Sequence, residues 1–211
     1  MIKQPIVEII KNLKAENIND KYRNNQNVAT SKIKQQLSQQ AKKAAQIIVD
    51  NFWSNKNAPL KLGNLMYLLD FDIYKSYTLE DSSLSGMLSL NSGNPSYGTR
   101  MILINGNDNI GHQRFTIAHE LAHYIFDAIS KEEYYEAYYQ TNGFNDSIRE
   151  YRANQFAANL LMPDEIFIDR YNYMSNILSN KNTIIDNLST DFGVSKTAVI
   201  RRLEELNINA R

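Results

Sequence analysis

The segment FTIAHELAHYIF, residues 115–126, sets His119 and His123 four residues apart, with Glu120 directly after the first. In an α-helix, positions i and i+4 stack on one face, so both imidazoles can reach one ion. Glu120 lies about 100° round the axis from His119. That is poor placement for a third ligand and good placement beside a water on the ion. The HExxH pattern needs these parts: neutral imidazoles as ligands, an open coordination position, and a carboxylate base next to it. If the helix were plain core, it would bury two imidazoles and a carboxylate among Ile117, Ala118, Leu121, Ala122 and Ile125. Unpartnered polar groups are costly there. A bound Zn2+ accounts for the pattern, with Glu120 as the base that activates the zinc-bound water.

Two histidines do not hold a catalytic zinc alone, and a third protein ligand is expected. His112, in NIGHQRF before the expected helix, is the only other histidine, and no later one completes the site. The remaining donors are carboxylates from a later helix. Glu150 is the best placed of these, early in IREYRANQFAANLLM, whose apolar face includes Ala153, Phe156, Ala157 and Leu160. Asp146 and Glu136 stand in looser sequence. The competing reading makes Glu150 a solvent-facing helix residue paired with Lys or Arg. Asn154, one turn after Glu150, is a candidate to orient a ligand histidine. Tyr124, Tyr151 and Tyr171 are candidates for a donor to a developing oxyanion.

The elements that must position these residues are legible in outline. Ile6, Val7, Ile9, Ile10 and Leu13 predict a short amphipathic helix, followed by an exposed link, NINDKYRNNQN. Ile33, Leu37, Ala41, Ala44, Ile48 and Phe52 recur at spacings of three and four, which predicts a helix over 31–52 packed on the outside of the core. Pro59 opens a second short helix at about 59–69. Three or more strands are expected between Phe71 and Asn105, in FDIYKSY, SGMLSL and TRMILIN, with SLNSGNPSYG as a connecting turn. The long helix follows from about Gln113, then a Tyr-rich polar stretch that could face substrate or fold as a flap. A further helix runs from near Ser147 to Pro163. The tail, about 182–208, carries two helical patterns split at FGVS. With Gly193 at the turn and Ser195 as a cap, it reads as helix-turn-helix-like.

RFTIAHELAHYIF followed by REYRANQFAANLLMP resembles the ImmA/IrrE metallopeptidase family. The likeness lies in Arg114, Phe115, Thr116, Ala118, His119, Glu120, Leu121 and His123. It continues in Glu150, Ala153, Asn154, Phe156 and Ala157, and closes at Leu160–Pro163. Gly86 and the strand ending at Asn105 also match the family's small sheet. The resemblance covers roughly residues 58–206. It implies that Glu150 is the third zinc ligand. It implies an α+β fold: a minimal zincin (thermolysin-like) core with a small sheet, the HExxH helix and a helical C-terminal lobe. The expected division is an N-terminal helical extension at 1–57, the metallopeptidase core at 58–175 and the lobe at 176–211. The family's substrate class is a regulatory protein, above all a helix-turn-helix repressor, often encoded on a phage or mobile element.

The whole chain constrains the alternatives. Its 211 residues carry 23 Lys and Arg against 23 Asp and Glu, so no global charge pulls it toward nucleic acid or lipid. It has no cysteine, which removes thiolate ligands, thiol nucleophiles and disulfides. No stretch approaches a membrane span and the first residues are not a secretory signal, so a cytoplasmic location is expected. Lys196, Arg201 and Arg202 give the tail some positive charge, which Glu204 and Glu205 dilute, making DNA binding a weaker reading. A third reading is a metal-bearing protein, a toxin or phage factor, that binds its partner without cutting it. The intact Glu120 favours the protease, because a purely structural site has no use for a base.

Overall fold

The computed structural model describes residues 3–16, 31–53, 56, 59–78, 84–90, 100–128, 137–140 and 148–208. The fold is α+β: eight helices and one small sheet among the described residues. The helices are α1 (Lys3–Glu16), α2 (Ser31–Phe52), α3 (Leu62–Leu68), α4 (Ile110–Phe126), α5 (Ile148–Leu161), α6 (Asp164–Ile177), α7 (Lys181–Phe192) and α8 (Lys196–Glu205). The strands are β1 (Asp72–Ser76), β2 (Leu84–Ser89), β3 (Met101–Asn105) and β4 (Ala137–Gln140).

The sheet order is β1-β3-β2-β4. β1 runs parallel to β3, while β2 is antiparallel to both β3 and β4. The three strands expected between Phe71 and Asn105 are present. β4 is an addition: part of the Tyr-rich stretch pairs with β2 as a strand. Of the expected turn at 89–98, residues 91–98 lie outside the described residues, as does the link at 17–27.

Two helix starts differ from the sequence reading. α3 begins at Leu62 rather than at Pro59, since the turn closes only on the Lys61 carbonyl, which accepts from Asn64 and Leu65 N–H. α4 begins at Ile110 rather than near Gln113, because the Asn109 side chain accepts from the His112 N–H and caps the helix there. His112 therefore lies inside the first turn of α4. α6, for which no separate pattern was read, starts at Pro163, where Asp164 and Glu165 suit the positive end of the helix.

α4 is the central element. Ala118, Leu121, Ala122, Ile125 and Phe126 are all buried in the core. α5 lies along one side of it, with Phe126 and Phe156 edge to face at 5.8 Å. α2 covers the outside of α5: Leu37 and Ile148 are fully buried together, with Ile33 and Tyr151 packed on them. Ser38 donates to Gln155 Oε1 at 2.8 Å across the same interface. The single apolar stripe of α2 thus packs as the periodicity predicts, and one helix cements another. α1 docks through Ile6, Ile10 and Leu13, and Lys14 donates to the Tyr124 carbonyl of α4.

The α7–α8 pair has the expected turn. Gly193 sits in the left-handed region (φ 62°), where glycine costs little, and the Ser195 hydroxyl accepts from the Ala198 N–H to cap α8. This turn rests on the first turn of α4. A Cβ at Gly111 would stand 2.5 Å from Ser195 N, so backbone meets backbone there. Arg114 donates to the Gly193 carbonyl and the Leu60 carbonyl, both at 2.8 Å. No helix among the described residues is long and apolar enough to cross a membrane.

Candidate metal centre

His119 and His123 project from one face of α4, and their Nε2 atoms lie 2.9 Å apart. Glu150, in the first turn of α5, meets both: its Oε2 is 3.2 Å from His119 Nε2 and its Oε1 is 3.3 Å from His123 Nε2. Among the described residues this is the one group of three side chains able to hold a metal ion, with ligand atoms all within 4.8 Å of one another. The competing picture of Glu150 as a surface residue paired with Lys or Arg does not hold. Its carboxylate faces the two imidazoles, with its side chain only 13% exposed. Asp146 and Glu136, the other carboxylate candidates, lie outside the described residues. His112 is engaged elsewhere, its Nε2 2.9 Å from the Ser85 hydroxyl and 3.6 Å from Asp108.

The remaining nitrogen of each imidazole has an acceptor. His119 Nδ1 donates to Asn154 Oδ1 at 3.1 Å, which gives Asn154 the orienting place that its position suggested. His123 Nδ1 donates to Asp127 Oδ2 at 2.7 Å. A carboxylate only accepts, so Nδ1 carries a hydrogen and Nε2 faces the cluster. Asp127 is itself held by Arg152, whose Nη2 donates to Oδ1 at 2.9 Å, with Arg149 Nε 3.5 Å from the same oxygen. Neither Asp127 nor Arg152 stands out in the sequence as a site residue. A signal for Asp127 was available: it follows His123 by four residues and so stacks on the same face. Arg152 carries no such signal, because a charged residue in a helix ordinarily reads as solvent-facing.

Burial and charge describe what this cluster prefers. Burial works against the charge on Glu150, but hydrogen bonds from His119 and His123 outweigh it and hold the carboxyl far below its usual range. Burial also opposes charge on His123, yet its hydrogen bonds to Asp127 and Glu150 prevail and push it up to about 10. His119 moves the other way, lowered chiefly by burial. Burial would raise Asp127 too, and is overcome by the bond from His123 and the nearby arginines, so it stays below the ordinary value. In the metal-free site a protonated His123 thus stands between the Glu150 and Asp127 carboxylates, with Arg152 and Arg149 on the far side of Asp127.

Glu120 is different. It is fully buried, and neither carboxylate oxygen has a hydrogen-bond partner among the described residues. Burial pushes it up to about 8; the charge on His123 opposes that shift and the charge on Glu150 adds to it. Strand β2 crosses beside it. A Cβ at Gly86 would collide with Thr116 Cγ2 and come within 3.6 Å of Glu120 Oε1. Only glycine lets the strand approach α4 this closely. Of the tyrosines considered, Tyr124 stands edge to face with Phe71 at 5.0 Å and Tyr151 packs against α2. Tyr171 is part of the core.

Comparison with known proteins agrees with this geometry. The model of the IrrE N-terminal-like domain, Peptidase M78, matches residues 72–204. No curated protein matches the chain in sequence. Among solved structures, a Mycobacterium tuberculosis transcriptional regulator superposes with a TM-score of 0.40 at 16% identity. That alignment covers 95% of this chain and 52% of the regulator, so the chain spans about half its length. The family match takes in the HExxH helix, the glycine-bearing strand, the carboxylate helix and the terminal helix pair together, and the chain belongs to the ImmA/IrrE family of metallopeptidases.

Proposed function

We propose that the protein is a zinc-dependent endopeptidase of zincin type that cuts one regulatory protein, a helix-turn-helix repressor, in the cytoplasm. The observation that carries the reading is Glu120: a buried, unpartnered carboxylate beside three converging ligand atoms. A group so costly to bury has a use at a reacting centre and none in a purely structural site. Two imidazoles and a carboxylate suit zinc and leave a coordination position open. His119, His123 and Glu150 would hold the ion.

When bound, zinc supplies Lewis acidity toward a peptide carbonyl and makes water more acidic. The chain's own groups do the rest. Glu120 takes a proton from the attacking water and delivers it to the leaving amine. In the metal-free site burial raises its affinity for protons, and a cation held by His119, His123 and Glu150 would lower it again, leaving Glu120 ready to accept one. Asn154 and Asp127 keep the two imidazoles turned toward the ion. His119, Glu120 and His123 are fully buried, where electrostatic contacts are stronger than in water. We assign the helical extension to residues 1–57, the peptidase core to 58–175 and the lobe to 176–211, although the family match itself runs on into the lobe.

The tail lends less to DNA binding than its sequence suggested. Arg202 is 2% exposed and points into the protein, and Lys196 is paired with Asp186 at 2.6 Å. The decisive experiment co-expresses the protein with the repressor encoded beside its gene and follows that repressor by mass spectrometry. Wild type should give a defined fragment. Glu120→Gln should keep its zinc and its partner while cleavage falls by about 10²–10⁴-fold, and His123→Ala should lose the zinc. A repressor inactivated equally by wild type and Glu120→Gln, yet still full length, would replace cleavage with simple capture. A salt-dependent shift of DNA would move the function to the tail.

A further inference from the structure

Arg152 is fully buried, a costly place for a guanidinium that only surfaces a helix. Its contacts explain the cost. Nη2 donates to Asp127 Oδ1 at 2.9 Å, and Nη1 donates to Gln40 Oε1 at 3.2 Å. The guanidinium lies over the Phe126 ring, 4.6 Å from its centroid, which fixes its plane. Asp127 passes its other oxygen, Oδ2, to His123 Nδ1 at 2.7 Å. The four side chains form one line from the N-terminal extension to a ligand imidazole: Gln40 on α2, Arg152 on α5, then Asp127 and His123 at the end of α4.

We propose that Arg152 is a positioning residue of the metal centre, and that α2, through Gln40, is part of the centre's support. A carboxylate free to rotate about its own bonds would present either oxygen to His123 at varying angles. With Oδ1 tied to Arg152, Oδ2 has one direction left. That direction fixes the His123 ring and its tautomer, and therefore where Nε2 aims. Glu150 stands two residues before Arg152 on α5. The same helix therefore supplies one ligand and orients another, and a shift of α5 against α4 would disturb both together. α2 lies on the outer side of α5 and meets Arg152 through Gln40. The extension before the family-matched segment thus acquires a role in the site.

This inference rests on the metal-centre reading above, and its test separates the two. Full-length wild type, Arg152→Met, Arg152→Lys and Gln40→Leu are titrated with zinc against a chromogenic chelator. Arg202→Met, a buried arginine in the other lobe, serves as a control for destabilisation alone. Each protein's folded fraction is fixed by circular dichroism. Arg152→Met should bind zinc at least about threefold more weakly, with the ~10–100-fold loss expected on removing the ligand's own partner, Asp127, as the upper bound. Arg152→Lys should recover part of that loss, since it keeps the charge but not the fork. Gln40→Leu should show a smaller loss in the same direction. Arg202→Met should lower the melting temperature and leave zinc affinity unchanged. If wild type binds no zinc, the metal-centre reading falls and this inference with it. If wild type binds zinc and folded Arg152→Met binds it within twofold as tightly, the positioning role alone is overturned. Should Arg152→Met not fold, Gln40→Leu decides: weaker zinc supports the role, and unchanged zinc overturns it.

Discussion

Glu120 is the residue on which two properties of the protein should pull apart. Its folded-state pKa is raised from 4.5 to about 8 by burial. For an acid whose folded pKa is raised, stability is fully present below the unfolded value and is lost as pH climbs through the folded one. In chelator-treated protein the loss therefore runs from about pH 4.5 to about pH 8. Glu120→Gln keeps the shape and has no charge to bury. Stripped of metal, the variant should be the more stable of the two at pH 8 by on the order of 4 kcal/mol. Near pH 4.5 the gap should close. Urea melts at both pH values measure this, and a gap that does not change with pH would mean the carboxylate is not buried as described. A buried carboxylate that weakens the metal-free protein is what the proposed role of Glu120 as a base would require. At this scale the sequence was highly informative. The spacing of His119, Glu120 and His123 marked the centre, because side chains four apart on a helix must share a face. Glu150 was one carboxylate among several until the family motif singled it out. Arg152 was invisible, since nothing local announces that a charged side chain will turn inward.

Elements were legible where periodicity governs and obscure where packing does. The stripe along α2 showed in the spacing of Leu37, Ala41, Ala44 and Ile48, but its contact with the Glu150 helix is a tertiary fact that spacing does not encode. β4 was missed because a polar, Tyr-rich stretch acquires strand form by pairing with β2, not from its own pattern. Gly86 marks the closest approach of two elements, and it supplies a test. Gly86→Ala should destabilise the protein by about 1–3 kcal/mol by driving a methyl into Thr116 Cγ2. Thr116→Ser removes that methyl partner. Combined with Gly86→Ala it should recover part of the loss, though the Leu103 carbonyl, 3.1 Å from the added carbon, limits the recovery. Strictly additive losses in denaturant melts would show that strand and helix do not meet there.

Across the whole molecule the cohesion lies in a few buried cations that cross between elements. Arg202 donates to the Met162 carbonyl, to Asn159 Oδ1 at 3.0 Å and to Asp164, which also takes Lys42 from α2. In the sequence Arg202 counted only as one of the tail's positive charges, and the structure buries it in the core. The reason is geometric: Val199, Arg202 and Leu203 share the inner face of α8. Arg202→Met should lower the stability of the whole chain by about 3 kcal/mol, because its acceptors stay behind without their donor. Chemical denaturation read by tryptophan fluorescence would report it through Trp53, which is far from α8 in sequence. A normal midpoint there would show that the last helices melt separately.

The contact between Gly111 and the α7–α8 turn bears on where this chain can be cut. No side chain cushions that meeting, and the Arg114 guanidinium beside it holds the Gly193 carbonyl. A fragment ending at residue 178 would uncover the first turn of the helix that carries both histidines. It would also strand the carbonyls and carboxylate that Arg202 now holds. The smallest stably folded unit drawn from this protein should therefore extend through α8. A shortened version that stops after the carboxylate helix should purify as an aggregate, however complete its set of ligands.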